Sequence, residues 1–425
     1  MKRNTIIGVI PALLLLAFSC ASESTANEQL TIPVHTDYRT YSQALSCAEE
    51  LLAVFESKFA TKGNVSRRIE FGTCITRKTT KSVDGKRDSL AYVFNFENNE
   101  GFAIIAANKS IPPMLAITEK GHYEPGVKTG VDNFDFYMEN LLDTLSVLGF
   151  SKNRERGRFI DHYYTDETLG SELGPLMTSQ WGQQNIYGEF CPNGISGCVA
   201  TAIAQVMNYH QHPSSFTTTV EMGNADFTYP SGSPIQLNWN GIGAHTKTHT
   251  AFQTCSMYHN TISALMREIG NRVNMVYNSS GSGAPPTSIP SGLSSFGYSC
   301  NSPATAVSYY VRQSIENYGP VIMGGQSLEG GHAWVADGYK DLEYHTCLYV
   351  YDYDLNEYVM EEESVERVES IHLNWGWDGV CNGYYAYGVY NVSAADSYDD
   401  EYLSLSYDFS IGTKMFCDIY PINSF

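Results

Sequence analysis

The 425-residue sequence has little charge, and in particular little positive charge. Charged residues make up 17% of the chain, and only 26 lysines and arginines stand against 46 aspartates and glutamates, which gives a formal net charge of −20. Proteins that bind nucleic acid or anionic membrane surfaces rely on lysine and arginine to neutralise phosphates. The charge balance therefore argues against nucleic acid and anionic membranes as partners.

Several catalytic and metal-binding patterns are also missing. The sequence contains neither the Gly-x-Ser-x-Gly of serine hydrolases nor the His-Glu-x-x-His of zinc peptidases. One segment matches four positions of a calcium-binding loop, namely Asp352, Asp354, Asn356 and Glu363. Glu357 occupies the position where such a loop needs glycine, so we expect an acidic hairpin there. We predict no metal and no cofactor.

The chain begins with an apolar run that is too short to cross a membrane. Two basic residues precede the apolar stretch at 6–18, and Ser19-Cys20-Ala21 follows it, which is typical of a signal peptide over residues 1–20. The segment 16–20 also resembles a bacterial lipoprotein box, in which Cys20 would carry a lipid anchor; ordinary cleavage nearby is the alternative. We therefore expect a bacterial protein that is secreted or anchored at the cell surface or outer membrane.

The ten cysteines are compatible with export. Setting aside Cys20 and Cys198 leaves eight, an even number that permits disulfides in an exported chain, although their pairing cannot be deduced. Cys191 could form a bridge near Cys198 or remain a free thiol.

Cys198 stands at the start of a helical pattern in the segment 197–209. Apolar residues recur there at spacings of three and four, which predicts a helix with one buried face; they are Val199, Ile203, Val206 and Met207. In the first helical turn, free backbone N–H groups and the helix dipole favour a thiolate. The pattern therefore indicates a nucleophile, and a small buried cysteine is the alternative.

A histidine and an asparagine follow at informative positions. His332 opens an alternating strand pattern and follows Cys198 by 134 residues, within the roughly 130–150 residues that separate the two catalytic residues in papain-like enzymes. Asn374 ends a later strand-like run and supplies an amide that could orient an imidazole. A thiolate, an imidazole and an orienting group are what hydrolysis of a peptide or amide bond requires.

Four ordered motifs resemble the streptopain family of bacterial cysteine peptidases. They are Gln180-Trp181-Gly182-Gln183-Gln184-Asn185-Ile186-Tyr187, Gly197-Cys198-Val199-Ala200-Thr201-Ala202, Gly331-His332-Ala333, and Asn374-Trp375-Gly376-Trp377 followed by Asn382-Gly383-Tyr384-Tyr385. The resemblance extends from about Leu176 to the end of the chain. A second resemblance, over 91–123, is to the propeptide of that family.

The resemblance implies a role for each residue of the motifs. Cys198 would be the nucleophile, and His332 would be the general base and acid. Asn374 would orient His332, with Trp375 packed over the pair. The implied activity is that of a cysteine endopeptidase acting on proteins or peptides.

The resemblance also implies an oxyanion hole. Gln183 aligns with the glutamine whose side-chain amide acts there together with the backbone N–H of Cys198, and its neighbour Gln184 is the alternative. Such donors meet a charge that exists only in the tetrahedral intermediate.

Length and patterning predict at least two folded units, because 425 residues exceed what one hydrophobic core usually organises. Helices are expected at 41–58 and 134–148, with strands at 91–96 and 101–106. The polar basic run at 151–158 is typical of an exposed linker, where proteolytic processing concentrates. We therefore predict an α+β propeptide domain over 21–160, with its boundary between about 150 and 172, that acts as an intramolecular inhibitor.

Residues 161–425 are predicted to form the catalytic domain. A second helix is expected near 261–272, and strands are expected at 321–324, 332–338, 348–353, 371–375 and 384–389. Helices on one side and an antiparallel sheet on the other describe an α+β papain-like fold. Two other functions stay open at this point: a cell-wall amidase or another thiol hydrolase of similar fold, and a non-catalytic binding protein.

Overall fold

The protein is described by a computed structural model. It describes residues 38–56, 67–76, 89–109, 111–147, 158–165, 171–247, 256–278, 281–327, 330–352, 355, 357–386, 389–393, 404–408 and 413–422. All of them belong to one compact unit, Asp37–Phe425. The predicted signal peptide and the lipidation of Cys20 lie outside the described residues.

The N-terminal region, residues 38–147, combines two helices with four strands. In chain order these are α1 Tyr41–Glu56, β1 Ile69–Thr76, β2 Ser89–Phe96, β3 Phe102–Ala106, β4 Met114–Thr118 and α2 Asp132–Val147. One face of α1 is buried, with Ala44, Ala48, Leu51, Leu52 and Phe55 at helical spacing. Both predicted helices and both predicted strands are confirmed here, within a few residues at their ends.

The C-terminal region, residues 158–422, contains five helices among its described residues. They are α3 Cys198–His210, α4 Trp239–Lys247, α5 Ser256–Arg272, α6 Ile289–Ser294 and α7 Ser308–Tyr318. The helix α3 is buried along its first ten residues and packs against α5 and against the sheet. It is thus the central helix of this region, and its first residue, Cys198, is packed within the hydrophobic core.

The strands of the C-terminal region are mostly antiparallel and uneven in length. They are β5 Arg158–Thr165, β6 Glu172–Leu173, β7 Ser215–Thr217, β8 Met222–Gly223, β9 Thr228–Tyr229, β10 Pro234–Gln236, β11 Val276–Asn278, β12 Gly281–Gly283, β13 Tyr298–Ser299, β14 Ala304–Thr305, β15 Val321–Ser327, β16 Gly330–Asp352, β17 Glu357–Asn374, β18 Gly383–Ala386, β19 Val389–Ser393, β20 Ser404–Asp408, β21 Lys414–Phe416 and β22 Tyr420–Pro421. The α+β class with an antiparallel sheet, as the sequence predicts, is confirmed.

One twelve-stranded sheet runs through both regions. Its main path is β1-β2-β3-β4-β18-β17-β16-β15-β21-β14, with β5 and β6 also paired to β16. The two regions meet where β4 pairs with β18, with Thr118 opposite Gly383 and Ala116 opposite Tyr385. This pairing joins the two regions in a continuous sheet and brings α2 beside β16.

The longest feature of the sheet is the hairpin of β16 and β17. The strands predicted at 332–338 and 348–353 are parts of one strand, β16, which pairs with β17 from Asn374 to Glu357 with two register shifts. The predicted acidic hairpin is confirmed, with Asp352 opposite Glu357 at its end. The strand β5 pairs with the outer half of β16, so Arg158 belongs to a strand and not to the predicted linker.

Two further expectations concern the whole chain. No disulfide bond joins any two of the eight described cysteines, which include Cys191 and Cys198. Within the described residues, no helix combines the length and the apolar character needed to cross a membrane.

Candidate active site

Cys198 is the first residue of α3, as the sequence predicts. Gly197 before it has a φ of 85°, and a Cβ at this glycine would lie 2.9 Å from the carbonyl oxygen of Ser282. Only glycine fits this tight approach without strain. The turn therefore places the thiol at the helix N-terminus, where the side chain is 8% exposed.

The surroundings of Cys198 raise the pKa of its thiol above the ordinary value. Burial is the largest cause, and the carboxylate of Asp132 in α2 adds to it because a nearby negative charge disfavours a thiolate. Backbone N–H groups of Ala333, Val199 and Cys198 itself act in the opposite direction. The site thus contains donors that suit a thiolate, together with a carboxylate from the N-terminal region that opposes it.

His332 lies on β16 beside α2. Its Nδ1 is 3.0 Å from Oδ1 of Asn133, and its ring stacks on Phe136 with 5.3 Å between the ring centroids. Nδ2 of Asn133 donates to the carbonyl oxygens of Ala333 at 2.8 Å and Trp375 at 3.0 Å. The Oδ1 atom is therefore the acceptor of this amide, and Nδ1 of His332 carries the proton.

The two candidate glutamines lie in different environments. Gln183 is 5% exposed, whereas Gln184 is exposed to solvent. The carbonyl oxygen of Gln183 accepts from the backbone N–H of Ser196 at 2.9 Å and from its hydroxyl at 3.2 Å, which ties this segment to the turn before Cys198. Among the described residues, Nε2 of Gln183 has no hydrogen-bond partner. A buried amide donor without a partner is costly in a folded protein, so this one calls for a functional explanation.

Asn374 ends β17 and is buried. Its Nδ2 donates to the carbonyl oxygen of Ser179 at 2.9 Å, and its Oδ1 accepts from Nε2 of Gln205 at 3.2 Å and from the N–H of Gly376 at 3.1 Å. These bonds tie the end of β17 to α3. The structure thus places Asn374 between the sheet and the nucleophile helix, while His332 faces α2.

Trp375 is fully buried. Its Nε1 donates to the carbonyl oxygen of Cys381 at 2.9 Å, and its ring contacts Trp334, Tyr385 and Tyr137 at centroid distances of 5.3, 5.3 and 5.8 Å. The indole therefore belongs to an aromatic cluster that α2 completes.

Three residues of α2 were not predicted from the sequence to lie at the site: Asp132, Asn133 and Phe136. These residues come close to His332 and Cys198 because β4 pairs with β18. A pattern of neighbouring residues in the sequence does not predict a long-range contact of this kind. Among the described residues, no group of three or more histidine, cysteine or acidic side chains is arranged to hold a metal ion.

A second polar contact joins the two regions at a buried histidine, His372. Its Nδ1 is 2.6 Å from Oδ1 of Asp337, and its Nε2 is 3.4 Å from Oε1 of Glu119, which lies just after β4. Burial by itself lowers the pKa of His372, but the carboxylates of Asp337 and Glu119 outweigh it and raise the pKa to about 10. The imidazole is therefore a buried cation held between one carboxylate of each region.

A cysteine at the N-terminus of a central helix, packed against an antiparallel sheet that carries a histidine and a buried asparagine, defines a papain-like cysteine peptidase. Comparison with known proteins agrees. The Peptidase C10 family matches residues 181–385, and this part of the chain is similar to the streptopain-like cysteine peptidases. A second family, described as Spi protease inhibitor, matches residues 36–144.

Individual relatives cover both regions. Streptopain of Streptococcus pyogenes is 26% identical over 336 residues, which span 72% of this chain and 76% of streptopain. The thiol protease/hemagglutinin PrtT of Porphyromonas gingivalis is 22% identical over 333 residues, 72% of this chain but 35% of that protein. The solved structure of a Prevotella intermedia prointerpain A fragment is similar over 82% of this chain and 99% of that one, with 22% identity and a TM-score of 0.49.

Proposed function

We propose that the protein is a secreted cysteine endopeptidase made as an inactive precursor. Cys198 is the nucleophile: its thiolate attacks the carbonyl carbon of a substrate peptide bond. His332 takes up the thiol proton and passes it to the leaving amine, which leaves an acyl group on the sulfur as a thioester. Water activated by the same imidazole then releases the acid product and the thiolate.

The observation that carries this proposal is the position of α2, which contacts His332 and places a carboxylate near Cys198. Asn133 bonds to His332, Phe136 stacks on its ring, and the charge of Asp132 acts on the thiol of Cys198. The charge of Asp132 disfavours the thiolate, and the side chains of Asn133 and Phe136 occupy the space beside the imidazole. This supports the function of the N-terminal region as an inhibitory propeptide, in keeping with its match to a protease inhibitor family.

Gln183 supplies the side-chain donor of the oxyanion hole. Its buried Nε2 lacks a partner among the described residues, and its backbone is tied to the turn before Cys198. A donor that stays unpaired until the tetrahedral intermediate forms binds the transition state better than the substrate. The exposure of Gln184 argues against it as the alternative.

The residue that orients His332 in the active enzyme is Asn374 or the backbone of Trp375. The side chain of Asn374 is occupied by Ser179, Gln205 and Gly376, so it reaches the imidazole only if these bonds rearrange. The carbonyl oxygen of Trp375 accepts from Asn133, next to the imidazole. When Asn133 withdraws, this oxygen loses its donor and can accept a new hydrogen bond.

Processing separates the two regions within residues 150–172. The strand β5 is hydrogen-bonded to β16 along its length, and a protease needs an extended, unpaired segment. We therefore place the cut outside Arg158–Thr165. Export by the N-terminal signal, with or without a lipid on Cys20, puts the mature enzyme outside the cytoplasm.

The experiment compares the purified protein with Cys198→Ala and His332→Ala after processing, on casein and on muropeptides under reducing conditions. We expect thiol-dependent cleavage of casein by the parent and none by either variant, with circular dichroism spectra unchanged. Cleavage of muropeptides alone would identify an amidase. Binding without any cleavage would identify a non-catalytic protein, and cleavage by folded Cys198→Ala would overturn the assignment of the nucleophile.

A further inference from the structure

An aromatic side chain of the N-terminal region covers the imidazole of His332. The ring of Phe136 lies 5.3 Å from the imidazole centroid at an interplanar angle of 29°, and 6.5 Å from the ring of Trp334 at 50°. Phe136 is half-buried, so its outer edge faces solvent. One ring of the propeptide thus rests against two aromatic rings of the catalytic region.

The space for this ring exists because the neighbouring strand carries glycine at the facing position. Gly325 on β15 pairs with His332 on β16, so the two residues share one face of the sheet. A Cβ at Gly325 would lie 2.4 Å from Cε1 of Phe136 and 3.3 Å from Cη2 of Trp334. A contact of 2.4 Å is far shorter than two carbon atoms allow. Any other residue at position 325 would therefore push the ring off the imidazole.

The position of the Phe136 ring indicates which part of a substrate would bind at the same place. In acyl transfer to a thiol, the imidazole gives its proton to the leaving amine, so the residue that carries this amine lies against the imidazole. A side chain resting on the imidazole face therefore stands where the residue immediately after the cleaved bond would place its own side chain.

We propose that Gly325, His332 and Trp334 form a subsite that takes an aromatic side chain of the substrate residue immediately after the cleaved bond. The inference rests on the proposed function, in which Cys198 and His332 catalyse peptide hydrolysis. Phe136 then acts as an internal stand-in for that side chain. Stacked and tilted aromatic contacts at these distances favour an aromatic over an aliphatic group of similar size by about three- to tenfold.

The test is acyl transfer by the processed enzyme. A peptide ester first acylates Cys198 and releases its alcohol, and the thioester is then shared between water and an added amine. The amine nitrogen attacks the thioester carbonyl, the new amide bond forms as the carbon–sulfur bond breaks, and the lost proton passes through His332. Phenylalanine amide, leucine amide and alanine amide serve as amines, and the ratio of amide product to acid product is measured at equal concentrations.

We expect phenylalanine amide to give a ratio about three- to tenfold above leucine amide, and alanine amide to give the lowest ratio. Gly325→Ala should bring the phenylalanine and leucine ratios together. The matched control is Gly243→Ala on α4, where a Cβ would meet only Oδ1 of Asn208 at 3.6 Å, and it should keep the parent's preference.

Equal ratios for the phenylalanine and leucine amides in the parent enzyme, with normal ester turnover, would overturn the subsite, and this result needs no variant to fold. A preference that survives in Gly325→Ala would place the aromatic group elsewhere and would equally overturn it. Absence of ester turnover that depends on Cys198 is a different result, because it overturns the proposed function and the subsite with it.

Discussion

Oδ1 of Asn133 accepts a hydrogen bond from Nδ1 of His332 at 3.0 Å, although 199 residues separate the two in the chain. The same amide donates to the carbonyl oxygens of Ala333 on β16 and of Trp375 just after β17. Three hydrogen bonds of one buried amide thus hold α2 beside His332. This contact explains how a region without catalytic residues of its own can keep the enzyme inactive.

Asn133→Ala should raise the activity of the uncut protein. The change removes three hydrogen bonds, and the loss of even one buried bond is worth about 1 kcal/mol, so we expect the open form to increase by tenfold or more. Initial rates on a peptide substrate, measured before any cleavage product appears, test this. Asn140→Ala on the same helix, whose side chain bonds only to the helical carbonyl of Phe136, is the control. Equal initial rates for Asn133→Ala and the parent would show that this contact does not restrain His332.

Asp132→Asn should lower the pKa of the Cys198 thiol in the uncut protein. The carboxylate of Asp132 raises this pKa, and removal of a negative charge favours the thiolate, so more thiolate forms at a given pH. The rate of alkylation by iodoacetamide as a function of pH reports the shift, with its midpoint moving to lower pH. Asp143→Asn removes the same charge from an exposed position of α2 and should leave the midpoint unchanged. If the midpoint moves equally in both variants, the shift comes from the net charge of the protein and not from the position of Asp132.

Gln183→Ala should lower kcat by about 10²–10³ with little change in KM, which is typical of a lost oxyanion donor. The processed enzyme and a peptide substrate suffice for this measurement. Gln184→Ala is the matched control, since it makes the same change at the exposed neighbour. If Gln184→Ala shows the kcat loss and Gln183→Ala does not, the assignment is displaced by one residue.

Glu119→Gln should destabilise the uncut protein in a limited pH range. Burial alone would raise the pKa of Glu119, but His372 and Arg67 outweigh it and hold the pKa below the ordinary value. A carboxylate with a lowered pKa stabilises the fold above its unfolded pKa and loses this effect as the pH falls through its folded pKa. A histidine raised to about 10 stabilises fully below its unfolded pKa and loses this effect as the pH rises through about 10.

The Glu119 carboxylate and the His372 imidazolium therefore both contribute their full stabilisation between about pH 4.5 and 6.5. The side chain of Glu119 is 39% exposed, so we expect a loss of only about 0.5–1 kcal/mol in the free energy of unfolding there. Urea titrations of the non-cleaving Cys198→Ala protein at pH 5.5 and pH 3 measure it, with Glu124→Gln, an exposed carboxylate, as the control. A loss that is as large at pH 3 as at pH 5.5 would contradict the ion-pair explanation.

The sequence alone predicted the parts of the site that are local. A helix with Cys198 in its first turn and a glycine-flanked strand that contains His332 are patterns of neighbouring residues, and the structure has both elements at the predicted positions. The α+β fold class was predicted for the same reason, because it depends on helix and strand patterns that are local in the sequence. The long hairpin was predicted only in pieces, because the middle of β16 lacks strict alternation and its pairing with β17 decides its length.

The inhibitory contacts could not be predicted, because they depend on pairing across the two regions. The residues around Asn133 and Phe136 contain no pattern that predicts a contact with His332. The pairing of β4 with β18 brings them together. The same holds for Glu119 and His372, which lie in segments with no shared pattern. The partners of Asn374 could not be predicted either, because Ser179 accepts from its Nδ2 and Gln205 donates to its Oδ1, and both lie far from it in the sequence.

Conversion of the full-length protein tests the central claim most directly. The purified chain is incubated under reducing conditions, and the mass, the N-terminal sequence and the peptidase activity of the products are followed in time. We predict a nearly inactive precursor that converts to a smaller active form beginning between about residues 150 and 172, outside Arg158–Thr165. Cys198→Ala should stay intact alone and be trimmed when active enzyme is added. Full activity of the uncut chain, with no gain when the N-terminal region is removed, would contradict the account.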